Sequence, residues 1–244
     1  MNWVNGGVPA PGLRDGLRAG GAPTMWERVV KDALSEIPRL APAGSRVLEV
    51  GYGDGLLSCY LCRELGWHVV GLDIDPKVQA CAIENAIKYG LDEYVEFGCC
   101  GPEETREHKG QYDAVFIKTV LYSSSTLEEY GQWLEWIESV LKPGGVLVNL
   151  ETGRANGMVQ AYRRLRKRTY ADLCLYTGAA EALYDERFEI LERRYYGGWS
   201  QFLAPFQRVY QFAYRVEEAV RARDADNCFV VSIIAKKHAV PDSH

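Results

Sequence analysis

The chemistry-bearing residues cluster in Glu49-Val-Gly-Tyr-Gly-Asp-Gly55, where three glycines stand at every second position directly after the apolar run Val47–Val50. An extended segment that breaks into alternating glycines lets the backbone turn sharply and leaves amide N–H groups free to approach a ligand. A second apolar run, Val69–Leu72, ends in Asp73. An acid so placed after a strand accepts hydrogen bonds from a pair of ribose hydroxyls. Lys118 and Tyr122 follow the run Ala114–Ile117, and Glu151 follows the run Val146–Leu150. A cation, a phenol and a carboxylate can orient an acceptor or move a proton.

These residues sit at the ends of elements that repeat as strand and helix. Strands are expected at Val47–Val50, His68–Leu72, Tyr94–Phe97, Ala114–Ile117 and Val146–Leu150. Helices are expected at Asp54–Leu65, Pro76–Tyr89 and Leu127–Leu141, the second opening on proline in its first turn. An earlier helix, with Thr24 and Glu27 at capping-box spacing, places Trp26, Val29, Val30, Ala33, Leu34 and Ile37 on one face. Strands separated by helices of this length imply a parallel sheet with right-handed crossovers. In such sheets ligands bind beyond the carboxyl ends of the strands, where the residues above lie.

Four segments in order resemble the class I S-adenosylmethionine-dependent methyltransferases. Glu49–Gly55 resembles their first motif, an acid followed by x-Gly-x-Gly-x-Gly, and Leu72-Asp-Ile-Asp-Pro76 resembles the acidic motif after their second strand. Gln111–Ile117 resembles the fourth-strand motif, and Leu141-Lys-Pro-Gly-Gly-Val-Leu-Val-Asn-Leu150 the turn into the fifth strand. A dinucleotide-binding domain competes, but its glycines follow Gly-x-Gly-x-x-Gly. The resemblance implies an α/β fold: a doubly wound, seven-stranded, mostly parallel, Rossmann-like sheet whose antiparallel last strand is inserted late. It fits strands expected at Phe188–Tyr195 and Cys228–Lys236. It also implies one domain over 24–244 after an arm at 1–23, with helical cap insertions near 154–186 and 197–226.

The same resemblance implies S-adenosylmethionine as cofactor and small-molecule methylation on oxygen or nitrogen. Glu49, Gly51, Tyr52, Gly53 and Gly55 would lie at its methionine part, Asp73 at the ribose and Ile74 against the adenine. The acid usual after the third strand is absent. Gly98-Cys-Cys-Gly101 stands there, so the backbone of Cys100 or Gly101, or the Glu103 side chain, would serve. Lys118, which also borders the cofactor, joins Tyr122 and Glu151 on the acceptor side. The acceptor would be an anionic or aromatic metabolite, and for Lys118 two readings stay open: recognition of an anionic acceptor such as a carboxylate or phenolate, or a side chain that snorkels outward or pairs with a nearby acid. A peptide acceptor and a catalytically inactive partner subunit are the alternatives to a small-molecule enzyme.

Composition sets outer bounds. The 244 residues are 47% apolar and 25% charged, with a net charge of −5, so nucleic acid is not the expected partner. No apolar run reaches membrane-span length and no signal peptide is evident, which leads to the expectation of a cytoplasmic chain without stable membrane insertion. The seven cysteines fall largely within expected elements and read as reduced thiols; Cys59 and Cys62 lack the second pair of a zinc site. With only Asp113 near the fourth strand, no metal is expected. Five cations in Arg163–Arg168 read as a solvated helix face, and the stripe Phe202, Phe206, Tyr210 as core or a homodimer interface.

Overall fold

A computed structural model describes residues 23–101, 108–153, 176–197, 224–226 and 228–238, together with 209, 212, 213, 215 and 216. All but the last residue of the arm at 1–23, the basic segment 163–168, Glu103 and the stripe Phe202, Phe206, Tyr210 lie outside the described residues. In chain order the elements are α1 (Pro23–Glu36), β1 (Arg46–Val50), α2 (Leu56–Leu65), β2 (His68–Asp73), α3 (Pro76–Tyr89) and β3 (Val95–Cys99). There follow β4 (Tyr112–Lys118), α4 (Leu127–Val140), β5 (Leu141–Thr152), α5 (Gly178–Arg187), β6 (Phe188–Tyr196) and β7 (Val230–Lys237).

The seven strands form one sheet in the order β3-β2-β1-β4-β5-β7-β6. Pairings from β3 through β5 are parallel, and β7 runs antiparallel to both β5 and β6. The strand order reverses between β1 and β4, which opens a crevice at their carboxyl ends.

Alternation along each strand sorts side chains between two cores. Val47, Ala114, Phe116, Val146 and Val148 join a cluster with Trp26, Val30 and Ile37 of the α1 region and Leu57 and Leu61 of α2. Leu48, Val115, Ile117 and Leu147 face Tyr130, Leu134 and Ile137 of α4 and Tyr184 of α5. Cys59 and Cys62 are buried free thiols in the first cluster, and burial pushes both upward in pKa, to about 12 and about 11. Among the described residues no helix is long and apolar enough to cross a membrane.

Boundaries differ from expectation where turn chemistry intervenes. Helix α2 begins at Leu56 rather than Asp54, because Gly53 and Gly55 both adopt positive φ. Asp54 instead turns its carboxylate to the Leu56 amide at 3.2 Å. Helix α1 opens on Pro23, so Thr24 lies inside its first turn rather than before it. Strand β5 starts at Leu141, paired with Tyr112, and the Lys-Pro-Gly-Gly segment is accommodated where the register jumps to Ala114 opposite Val146. Lys142 within that irregularity binds Asp113 at 2.6 Å, and Asp113 also accepts from the Arg46 amide, so this acid pins the amino-terminal ends of the strands. Of the segment expected as a cap near 154–186, the described part forms α5, and Tyr184 there bonds Tyr130 and Asn149 beneath the sheet.

Gly55 caps α2 at φ +72, and a methyl group there would meet Phe97 at 2.6 Å and Ala82 at 2.8 Å. Gly55→Ala therefore combines left-handed strain with overpacking and should cost about 2–4 kcal/mol of unfolding free energy. Denaturant melts of the two proteins measure it, and a loss below about 0.5 kcal/mol would contradict this packing.

Candidate active site

The crevice is built where β1 ends. Gly51 turns at φ +76 with its amide on the Leu72 carbonyl at 2.8 Å, and a Cβ there would strike Val120 Cγ2 at 2.4 Å. Only glycine allows the chain after β4 to come so close to the chain after β1. Gly53 is different: its φ is +56 but nothing lies within 4 Å of where its Cβ would be. That open side is the approach for a ligand.

Asp73, at the end of β2, spans the crevice base. One carboxylate oxygen accepts from the Gly53 amide at 3.0 Å and the other from the Asp75 amide at 3.0 Å. Asp75 then caps α3 through the Lys77 amide at 3.0 Å. Tyr52 packs its ring on Phe97 with centroids 4.7 Å apart, filling the space beside Gly71, where a methyl group would meet both rings below 3 Å.

The resulting cavity encloses about 280 Å³. It brings together Glu49, Gly51, Tyr52, Gly53, Asp73, Ile74, Cys100, Gly101, Lys118 and Tyr122. Gly55 and Glu151 do not line it: the first packs behind the turn, and the second is fully buried against backbone amides. Thr119, which follows the fourth strand with Lys118 and Tyr122, also lines it, and so do Val120, Ser123, Trp133 and Trp136, which the sequence did not single out. The tryptophans stand one turn apart on α4, with rings edge-to-face at 5.6 Å. Their three-residue spacing on an amphipathic helix was their only advance signal, and it reads equally as core. Ile74 is 72% exposed at the rim.

Charge in the floor is acidic and shielded from water. Glu49 is buried, accepts from the Ser58 hydroxyl, and is pushed up to about 8 by burial, against the opposing pull of Ser58 and Lys118. Burial lowers Lys118, while Glu49, Glu151 and Asp54 hold it up. Its Nζ lies 5.2 Å over the ring of Trp26 from α1, a cation–π contact. Both readings of Lys118 thus have a physical basis: it borders the cavity, and it is compensated by carboxylates.

Comparison with known proteins agrees with this architecture. Residues 47–145 match a family model described as a methyltransferase domain. The chain is 30% identical over 127 residues to the mitochondrial ubiquinone biosynthesis O-methyltransferase of Rattus norvegicus, covering 51% of this chain and 36% of that protein. It is 34% identical over 110 residues to the ubiquinone biosynthesis O-methyltransferase of Xanthomonas axonopodis pv. citri, covering 45% of this chain and 44% of that one. The chain therefore spans less than half the length of either relative. A solved S-adenosylmethionine-dependent methyltransferase from Methanosarcina mazei superposes with a TM-score of 0.61 at 20% identity, covering 84% of this chain and 97% of that one. At that identity the likeness speaks for the fold.

The sheet order and the glycine turn are those of the class I S-adenosylmethionine-dependent methyltransferase fold, and the methyltransferase-domain match over residues 47–145 supports that class. The cofactor of this class is S-adenosylmethionine, and the site fits it. An open glycine edge, a carboxylate at the end of β2, an exposed apolar residue at the rim and a buried acid answer a nucleoside carrying positive charge.

Glu49 makes the fit measurable. Burial raises its pKa from the ordinary 4.5 of a glutamate to about 8, so its contribution to folding stability is complete below pH 4.5 and is lost as pH rises through about 8. A cationic ligand beside it favours the carboxylate and pulls that pKa down. Binding of S-adenosylmethionine at pH 7–8 should therefore release a fraction of a proton. Calorimetric enthalpies would then vary with the ionisation enthalpy of the buffer, and Glu49→Gln should remove the dependence. Enthalpies that are the same in all buffers would take Glu49 away from the ligand's charge.

Proposed function

We propose that this protein transfers the methyl group of S-adenosylmethionine to the oxygen or nitrogen of a small molecule. The observation that carries the reading is the composite wall of the cavity: cofactor-type groups on the β1–β2 side face Lys118, Tyr122, Trp133 and Trp136 across about 280 Å³. Two indole rings on the far wall favour an acceptor with a planar or apolar body. Similarity over half the chain to ubiquinone biosynthesis O-methyltransferases supports the same class of acceptor.

The bound cofactor supplies an electrophilic sulfonium methyl, and in-line displacement asks the protein mainly for orientation and exclusion of water. The Gly51–Gly53 edge holds the methionine part and Asp73 the ribose, with Asp73 exchanging its Gly53 and Asp75 amides for, or sharing them with, ribose hydroxyls. Ile74 covers the base, and the backbone at Cys100–Gly101 closes the edge left without an acid. Across the cavity Lys118 and Tyr122 present a cation and a hydroxyl to the acceptor. Tyr122 is the polar group nearest in kind to a proton relay, and Lys118 stabilises an acceptor oxygen as it becomes anionic.

The experiment that tests this reading begins with binding and ends with acceptors. Calorimetric titration with S-adenosylmethionine and S-adenosylhomocysteine should give saturable binding of both, and failure of both would refute the reading. Asp73→Ala should weaken that binding by about 1–3 kcal/mol, the cost of unpaired polar partners; unchanged affinity would remove Asp73 from the site. A panel of phenols, carboxylates and amines should then yield methylated product by mass spectrometry. With the acceptor so found, Lys118→Ala should lower kcat by at least tenfold and change cofactor affinity by less than threefold. Equal losses in both would place Lys118 on the cofactor side.

A further inference from the structure

The turn that follows β4 carries an unusual backbone. Thr119 has φ +54, and it is the only non-glycine residue with positive φ among the described residues. A β-branched side chain in the left-handed region is a strained arrangement that persists only where its surroundings over-determine it. The residues around it are the acceptor-side residues of the reading above: Lys118 precedes it, and Val120 and Tyr122 follow it into the cavity wall. Two things hold the strained segment. The Thr119 amide donates to the Leu150 carbonyl at 2.9 Å, continuing the β4–β5 ladder by one rung. Then the buried carboxylate of Glu151 takes over.

Glu151 is fully buried, and its two oxygens point in different directions. One accepts from the Leu121 amide at 2.9 Å and the other from its neighbour Thr152 at 2.8 Å. The amides of Val120 and Tyr122 also act on it. A carboxylate gathering the amides of one short turn behaves as an anion in a nest of N–H groups. Alternation on β5 sends this side chain to the α4 side of the sheet, so it reaches the turn from beneath rather than from the cavity. The turn in its held form sends Val120 into the notch left by Gly51.

We propose that Glu151 is a positioning residue that clamps the strained Lys118–Ser123 turn in its ionised form, and thereby holds Lys118 and Tyr122 at the acceptor side of the cavity. The inference rests on the acceptor-side reading for its functional consequence, but the clamp itself can be tested without any acceptor. Protonation would turn one carboxylate oxygen into a donor facing an N–H group, so the clamp loosens when Glu151 becomes neutral. Burial pushes this carboxyl up to about 7, with the four amides pulling it back; releasing the turn while Glu151 stays buried removes those amides and raises the carboxyl further, so the hold on the turn strengthens as pH rises through about 7, opposite in sign to the effect of this carboxyl on global unfolding. The groups facing it are Lys118 from β4, Tyr130 from α4 and Tyr184 from α5. Both phenols are raised by burial and stay neutral throughout that range, whereas Lys118 carries the compensating charge.

The test is amide hydrogen exchange at residues 120–122, corrected for intrinsic exchange rates, between pH 5.5 and 8.5 in the intact protein. Protection there should rise at least tenfold as pH increases through the titration of Glu151, followed independently by its carboxyl carbon-13 resonance. Glu151→Gln, which mimics the neutral acid, should be poorly protected at those amides and show no such rise, with S-adenosylhomocysteine affinity changed less than threefold. A flat profile in the unaltered protein, or a midpoint that departs from the Glu151 resonance, would overturn the proposal. So would a Glu151→Gln protein in which cofactor affinity falls as far as protection does, since Glu151 would then support the whole crevice. If the Gln variant does not fold, the profile of the unaltered protein decides alone. None of these readouts involves methyl transfer, so a failed acceptor screen leaves the clamp standing, and a failed clamp leaves cofactor binding untouched.

Discussion

The bond between the Asp73 carboxylate and the Gly53 amide is the constraint on which the crevice depends. It joins the turn after β1 to the turn after β2, and its second oxygen organises the Asp75 amide at the start of α3. With both turns tied, the open edge of Gly53 faces outward and Ile74 is left at the rim. The glycines have distinct duties in this arrangement. Gly51 allows a close approach by Val120, Gly55 allows α2 to pack on Phe97 and Ala82, and Gly53 alone keeps space free for a ligand.

The second theme is buried charge. Glu49 and Glu151 lie on opposite faces of the sheet, one toward α2 and one toward α4, and Lys118 feels both. Burying carboxylates costs several kcal/mol each unless hydrogen bonds and opposite charge offset it. Here Ser58 serves Glu49, a set of backbone amides serves Glu151, and Trp26 supports the ammonium group of Lys118. Trp26 thereby links α1 to the cavity, which explains why an aromatic residue at that point of an amphipathic helix is more than core filling.

Much of this was legible in the residues themselves. The alternating glycines, Asp73 and the apolar runs located every strand through β5 within a few residues, because buried parallel strands read as short hydrophobic segments bounded by turn signals. Ten of the residues assigned to a site meet in one cavity. Glu151 was singled out by its place after β5, yet its orientation was not readable, since which way a polar side chain turns at a strand end depends on the amides that the next turn supplies. The positive φ of Thr119 had no sequence signal at all; threonine is among the residues least expected there. Trp133 and Trp136 were visible as helix-face residues, but whether such a face meets core or cavity is decided by tertiary packing.

The place of β7 between β5 and β6 has a consequence for how the chain acquires its structure. Among the described residues strand β6 pairs only with β7, and β7 comes some 34 residues later, from Tyr196 to Val230. During synthesis β6 therefore leaves the ribosome before its partner exists, carrying Phe188 and Tyr196 that will later be buried. Closing the sheet waits for a contact distant in sequence, which is a slow, entropically costly step. Until it occurs both the β5 edge and β6 offer unpaired backbone to other chains. The nascent protein is therefore most exposed to aggregation, and most in need of chaperone cover, in the interval between those two strands.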